Sequence, residues 1–227
     1  MVETEAALLP DGSAAAAELA GLAGELGVSL DATQCDRLLR FAGLLQRWNR
    51  VHNLTAIERP EQIVSHHLLD SLAVAPILDE LAGGRTLRVL DVGAGGGLPG
   101  IPLATAMPRH HFTLLDKVGK KVAFLMQAKL ELGLANVDAV HARVEDYDAP
   151  AFDVIVARAF SSLADFIRLT RRLLALRGTW CAMKGAVPRA EIAQLEEARL
   201  GVHLTRTVKL HVPRLDAERH LLLIKSN

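Results

Sequence analysis

Between Leu90 and Ala104 the chain reads LDVGAGGGLPGIPLA, an apolar run that ends in an acid and then four glycines within five positions. Glycine tolerates positive φ and lets a ligand approach the backbone closely. Two registers fit. Gly95, Gly97 and Gly100 satisfy G-x-G-x-x-G, the dinucleotide fingerprint, whereas Asp91-Val92-Gly93-Ala94-Gly95 with Gly97 gives D-x-G-x-G-x-G, a pattern associated with S-adenosylmethionine. Chemistry favours the second. A carboxylate at Asp91 repels a pyrophosphate but can hold the cationic amino group of a methionine moiety. Pro99 and Pro102 also disturb the first helical turn, which a phosphate needs intact. The plainer alternative is a loop that is glycine-rich only for turning.

Further acids follow at matching places. Asp116 ends the next β-rich run, about twenty residues past the glycines, where a carboxylate can accept from both ribose hydroxyls. Arg143-Val144-Glu145-Asp146 follow the third run, where an adenine would be bracketed, although such acids also serve as ordinary helix-start residues. Arg158 and Phe160 follow the fourth run on the same edge. Ser162 with Asp165 makes a capping box for the helix beyond, which accounts for those two without function. His66, His67 and Asp70 resemble a metal constellation, but only His67 and Asp70 share a helix face and no third ligand joins those two, so a helix-packing hydrogen bond is the simpler expectation and no metal is expected.

The elements that must position these groups come in two styles. Up to Gly84, apolar residues recur at helical spacing, as in Leu38, Phe41, Leu45 and Trp48, then Ile63, His67 and Leu68. From Arg85 onward, short β-rich runs alternate with helical ones: LRVLDVG, HFTLLD, ANVDAVHAR, FDVIVARAF and GTWCAMKG. The last two runs, HLTRTVKLHV and RHLLLIK, are separated only by Pro213 to Glu218 and predict an antiparallel hairpin at one edge. Five βα units and a terminal hairpin predict an α/β, doubly wound, mostly parallel sheet of seven strands, with the ligand beyond the C-terminal strand ends. The expected organisation is a helical region over residues 1–84 and a Rossmann-like domain over 85–227.

Half of the 227 residues are apolar and the formal net charge is zero, which excludes a disordered or fibrous chain. The first 31 residues carry six acids and no Lys or Arg, so the remainder is basic by six charges, enough to meet a polyanion and equally compatible with a solvated surface. Cys35 and Cys181 have no C-x-x-C or His companion and read as buried thiols of a reducing cytosol. MVETEAALLP lacks the basic region of a signal peptide, and no apolar run spans a bilayer, so a cytoplasmic location is expected.

Taken together, WNRVHNLT (48–55), HLLDS (67–71), the glycine loop, LLDKVGKK (114–121), ARVED (142–146), ARAFSSL (157–163), MKG (183–185) and DAERHLLLIK (216–225) resemble the RsmG family. These are bacterial 16S rRNA (guanine-N7) methyltransferases, also called glucose-inhibited division protein B. The resemblance covers roughly Arg47 to the C-terminus; the first 34 residues show none. It implies a class I S-adenosylmethionine-dependent methyltransferase fold, that cofactor with S-adenosylhomocysteine as product, and cofactor contacts at Gly93, Leu98, Val144, Glu145 and Arg158, to which the pattern above adds Asp91, Gly95, Gly97 and Asp116. His66 is a small departure, at a position where members of the family often have a basic residue.

Guanine N7 has an in-plane lone pair and no proton, so attack on a sulfonium methyl needs no general base, consistent with a chain lacking a carboxylate pair or a Ser/His/Asp set. Arg158 is expected to orient cofactor and nearby acids, and Phe160 to pack against the transfer zone. The implied partner is 16S rRNA or the small ribosomal subunit, bound by a monomer. Lys117, Lys120, Lys121, Arg143, Lys184, Arg219 and His220 are the candidate phosphate contacts, with a solvated helix face as the alternative for the two adjacent lysines. Other readings are a small-molecule methyltransferase of the same fold, a nicotinamide-dependent oxidoreductase, and an RNA-binding module without catalysis.

Overall fold

The computed structural model describes residues 12–227 except Glu58, Ala159 and Ser161, and the side chains of Pro60 and Glu61. The first eleven residues and two positions of the ARAFSSL run therefore lie outside the described residues.

Helix α1 spans Gly12–Glu25 and α2 spans Ala32–His52. Asp31 starts α2 with a reciprocal cap: its carboxylate accepts from the Gln34 N–H, and the Gln34 side chain accepts from the Asp31 N–H. Asn53 stops it in the left-handed region at φ 49°, a conformation that asparagine tolerates better than most residues. Next come α3 (Pro60–Ile63), a π-helical segment at Val64–Leu69, α4 (Asp70–Leu72) and α5 (Ala75–Ala82). The expected regular helix around His67 is thus widened by a π turn, a feature that concentrates at functional sites.

From there strands and helices alternate: β1 (Arg88–Val92), α6 (Gly100–Ala106), β2 (His111–Asp116), α7 (Gly119–Leu132), β3 (Val137–His141), β4 (Phe152–Arg158), α8 (Leu163–Thr170), β5 (Leu174–Lys184), α9 (Arg189–Glu197), β6 (Val202–Lys209) and β7 (His220–Ser226). The seven strands are ordered β3-β2-β1-β4-β5-β7-β6, with β7 antiparallel to both neighbours and the other central pairs parallel. The hairpin lies at the edge, as its short connection requires. One expected unit differs: β3 and β4 are joined by a turn without a helix, so the repeat of five βα units is broken there.

The central strands are buried on both faces, which explains their unbroken apolar runs. In β4, Val154 and Val156 join one cluster while Ile155 and Ala157 join the other, and β7 splits Leu221 and Leu223 from Leu222 and Ile224 in the same way. The first cluster is continuous with Leu38, Phe41 and Leu45 of α2 and Leu68 of the π segment, so the N-terminal helices share one core with the sheet. This packing brings α2 and the π segment to the strand ends where the ligand edge lies.

Candidate functional site

The strand order reverses between β1 and β4, and the glycine loop leaves β1 at that point. Its amides are largely taken by the protein. Gly93 and Ala94 donate to the Leu115 carbonyl (2.8 and 3.0 Å), Gly95 to Asp116 Oδ2 (2.9 Å), and Gly97 and Leu98 to the Ala94 carbonyl (2.7 and 3.2 Å). Gly100, the first residue of α6, donates to Asp91 Oδ2 (2.9 Å), and the preceding Pro99 has no N–H to offer. A pyrophosphate would find neither a row of free amides nor a helix start to bind. The glycines have separate reasons. At Gly93 (φ +72°) a Cβ would enter open space toward the ligand side. At Gly100 it would lie 2.1 Å from Leu114 Cδ2 and 2.7 Å from Asp91 Oδ2, so only hydrogen fits.

A cleft of about 270 Å³ opens beside this loop, and Gly93, Asp116, Val144, Glu145 and Phe160 all line it. Its wall suits a nucleoside: apolar Val92, Leu115 and Val144 lie beside carboxylates. Asp116 Oδ1 accepts from the Val118 N–H at 2.9 Å while Oδ2 serves Gly95, so its role toward a ribose would use the remaining lone pairs. Phe160 packs on Phe166 with centroids 5.3 Å apart. Asp91, Gly95, Gly97 and Leu98 do not line the cleft. Leu98 belongs to the core, and a Cβ on Gly97 would meet Ile101 at 2.7 Å, so those two shape the loop from behind.

Asp91 is 1% exposed, and its Oδ1 has no hydrogen-bond partner among the described residues. Burial pushes its carboxyl up to about 7, against the Gly100 N–H and the Arg158 charge, which both favour ionisation. From behind the loop this carboxyl holds the Gly100 N–H and so withholds that amide from an anionic ligand.

One positioning residue has no signature in the sequence. Arg172, in the 3₁₀ turn Arg171–Leu173 after α8, donates to the carbonyls of Val144 (2.8 Å), Glu145 (2.9 Å) and Tyr147 (2.5 Å). It clamps the turn that replaces the expected helix, and that turn carries two cleft residues. The cap of α8 also differs from expectation. Ser162 Oγ accepts from the Asp165 N–H (3.1 Å), but the Asp165 carboxylate takes the Ser162 hydroxyl (2.9 Å) rather than the cap N–H.

A second cleft of about 550 Å³ lies beyond the ends of β4, β5 and β7, and Arg158 is on its wall, two residues from Phe160 of the first. The WNRVHNLT run builds another wall. Asn49 Oδ1 accepts from the Thr55 N–H (2.8 Å), and Thr55 Oγ1 bonds His67 Nε2 (2.7 Å), while His67 Nδ1 faces the His66 carbonyl (2.9 Å). Both nitrogens of His67 are thereby engaged, and no group of three or more His, Cys, Asp or Glu that could hold a metal occurs among the described residues. Burial, then the Arg158 charge, pushes His67 down to about 4, so it is neutral at pH 7.

The family model for rRNA small subunit methyltransferase G, also called GidB, matches residues 34–222. The chain belongs to this family. Proteins named ribosomal RNA small subunit methyltransferase G are 50% identical over 207 residues in Leptothrix cholodnii (91% of this chain, 93% of that protein) and 52% identical over 204 residues in Laribacter hongkongensis (89% and 94%). The fold matches a SAM-dependent methyltransferase from Aquifex aeolicus (TM-score 0.56, 17% identity, 76% of this chain and 96% of that one). It also matches TrmN from Thermus thermophilus (TM-score 0.52, 21% identity, 72% and 53%). The sheet is thus the class I Rossmann-like methyltransferase fold, and the family match spans both clefts.

Within this family member the seven basic candidates divide. Lys117 and Lys121 line the first cleft and Lys120 is exposed beside them, while Arg143 is exposed and pairs with Glu145 at 3.1 Å. The other three are paired within the protein. Lys184 is 14% exposed and bound to both oxygens of Glu191, His220 is buried with Nδ1 on the Gly185 carbonyl (2.6 Å), and Arg219 is held by Asp70. Tertiary pairing has converted them from surface charge to wall. Cys35 and Cys181 are free and buried, with burial pushing Cys181 up to about 12, and no described helix is long and apolar enough to cross a membrane.

Proposed function

We propose that the protein binds S-adenosylmethionine in the first cleft and methylates N7 of one guanine in 16S rRNA, acting as a cytoplasmic monomer. The observation that carries this reading is the fate of the Gly100 N–H. It is held by a buried carboxylate at the very place where a dinucleotide enzyme would present it to a phosphate. The loop therefore denies a phosphate the helix-start amide that a dinucleotide site would supply.

S-adenosylmethionine, when bound, supplies an electrophilic sulfonium methyl. The chain's own groups then have positioning roles. Asp116 accepts from ribose, Val144 and Glu145 bracket the adenine on a turn held by Arg172, and Phe160 closes the apolar side. Arg158 stands between the clefts with its charge acting on Asp91 and Asp70. Transfer of that methyl to N7 would leave a neutral thioether and a cationic purine and would require no proton transfer, so the residues named need only hold and align the two groups. Alignment alone suffices for such a step, because N7 carries no proton to remove. The basic surface at Lys117, Lys120, Lys121 and Arg143 supplies phosphate contacts whose effect weakens with salt.

The test is a map of N7-methylguanine in 16S rRNA from cells with and without the protein, joined to calorimetry with S-adenosylhomocysteine and with NAD. One guanine losing its methyl group, together with heat from the first ligand only, is the expected result. An unchanged map, or uptake of NAD alone, overturns the reading.

A further inference from the structure

Asp70, 3% exposed, joins two arginines that are remote in sequence. Arg158 Nη1, from the end of β4, lies 3.4 Å from its Oδ2, and Arg219 Nε, from the loop before β7, lies 2.9 Å from its Oδ1. Removing a carboxylate from water is costly unless it is paired, and two guanidiniums on one carboxylate leave a net positive charge. That charge faces the second cleft, which both arginines line with side chains about one-quarter exposed (26% and 24%).

The free hydrogen-bonding capacity there is led by guanidinium donors, beside Nε2 of His66 and of His220, which have no partner among the described residues. Arg158 uses Nη1 toward the His66 carbonyl, His67 and Asp70, and Arg219 uses Nε on Asp70 and Nη1 on the Glu218 carbonyl. This leaves Nε and Nη2 of Arg158 and Nη2 of Arg219 without a partner among the described residues. Thr55 Oγ1, the nearby hydroxyl, is already engaged by His67 and by the Ile57 N–H, and Lys184 is neutralised by Glu191. The remaining wall includes Leu54, Ile57, Met183 and Leu210. Apolar walls with guanidinium donors to spare suit a planar base that presents a carbonyl oxygen toward those donors, and disfavour one that presents an amino group at that same position. Guanine has O6 where adenine has an amino group, and its N7 must stay unbonded in order to react, so the usual arginine fork over O6 and N7 together is ruled out.

We propose that the second cleft receives the target guanine extruded from its stack, and that Arg219, fixed by Asp70 alongside Arg158, donates to O6 and selects a keto purine; this rests on the methyl-transfer reading above. Asp70 is then a positioning residue, and Arg219 reads a base instead of gripping a phosphate. The π turn is the local device that makes this possible, because it brings His66, His67 and Asp70 together against Arg158.

The test uses small-subunit RNA carrying guanine, inosine or 2-aminopurine at the mapped position; inosine keeps O6 and 2-aminopurine lacks it, while both keep N7. The full-length protein is expected to methylate inosine within about tenfold of guanine and 2-aminopurine at least about 100-fold more slowly, because a site built for a hydrogen bond rejects the analogue that cannot make it. In Arg219→Met the guanine to 2-aminopurine ratio falls to within about tenfold. Affinity for S-adenosylhomocysteine and the salt dependence of RNA binding stay as in the parent. Asp70→Asn, which keeps the side-chain volume, narrows the ratio in the same direction, a change that simple loss of stability would not produce. The proposal is overturned if Arg219→Met slows both substrates equally and lowers the salt slope by about one, the behaviour of a phosphate contact. If the parent protein leaves every guanine unmethylated, the function itself fails, and that outcome is distinct from a preserved ratio.

Discussion

Replacing Asp91 by asparagine removes the ionisation of a carboxyl that burial holds at about 7, from an ordinary value of 3.8. The folded protein binds that proton more tightly than the unfolded chain does. The contribution to stability is therefore fully present below about pH 4 and is lost as pH rises through 7. A shift of about three units corresponds to roughly 4 kcal/mol in total, of which roughly 2–3 kcal/mol falls between pH 5 and pH 8. The Asp91→Asn variant has no such dependence, and any penalty for burying its amide is the same at every pH. Thermal unfolding of both proteins, ligand-free and at constant ionic strength, reads the difference. At this chain length 1 kcal/mol moves Tm by about 2–4 °C, so the variant gains roughly 4–12 °C relative to the parent between pH 5 and pH 8. Titrating groups that do not interact with Asp91 cancel in the comparison. Parallel curves over that range would refute the claim that Asp91 is buried with one oxygen unpaired.

His67→Gln tests the opposite sign. The His67 ring is neutral when folded, with its value pushed down to about 4, so its contribution is present above about pH 6.5 and is lost as pH falls toward 4. In urea titrations the parent is expected to lose roughly 3 kcal/mol more than the variant over that interval. Gly100→Ala places a methyl 2.1 Å from Leu114 and 2.7 Å from Asp91, and overpacking of that kind costs on the order of 2 kcal/mol or more, measured by denaturant unfolding. Arg172→Met frees three carbonyls of the cleft turn, and calorimetry is expected to show S-adenosylhomocysteine binding weakened on the order of tenfold with the methyl-transfer rate at saturating cofactor unchanged. An unaltered affinity would mean that the turn holds its shape without the clamp.

Local signals carried the sheet and the loop. Strands such as HFTLLD and FDVIVAR are short and buried on both faces, so composition alone marks them, and the short Pro213–Glu218 connection permits only an antiparallel hairpin. Asp91 and the glycines were legible for the same reason, since a tight turn at the end of a strand is written in neighbouring residues. Even there the roles divided in space, with Gly93 on the cleft side, and Gly97 and Leu98 packed behind.

What lay beyond the sequence depends on groups that meet only after folding. The clamp of Arg172 on Val144 and Glu145 spans 28 and 27 positions, the Arg219–Asp70 pair 149 and the Arg158–Asp70 contact 88. No spacing rule links residues so far apart, and a lysine or histidine reads as surface charge until its partner is seen, as Lys184 and His220 illustrate. The sequence by itself determined the doubly wound sheet, the acid-plus-glycine ligand edge and the family, because each follows from short-range periodicity and local turn chemistry. Only the tertiary structure decided which amides and cations remain available to a ligand, because that is settled by the protein's own long-range hydrogen bonds and ion pairs.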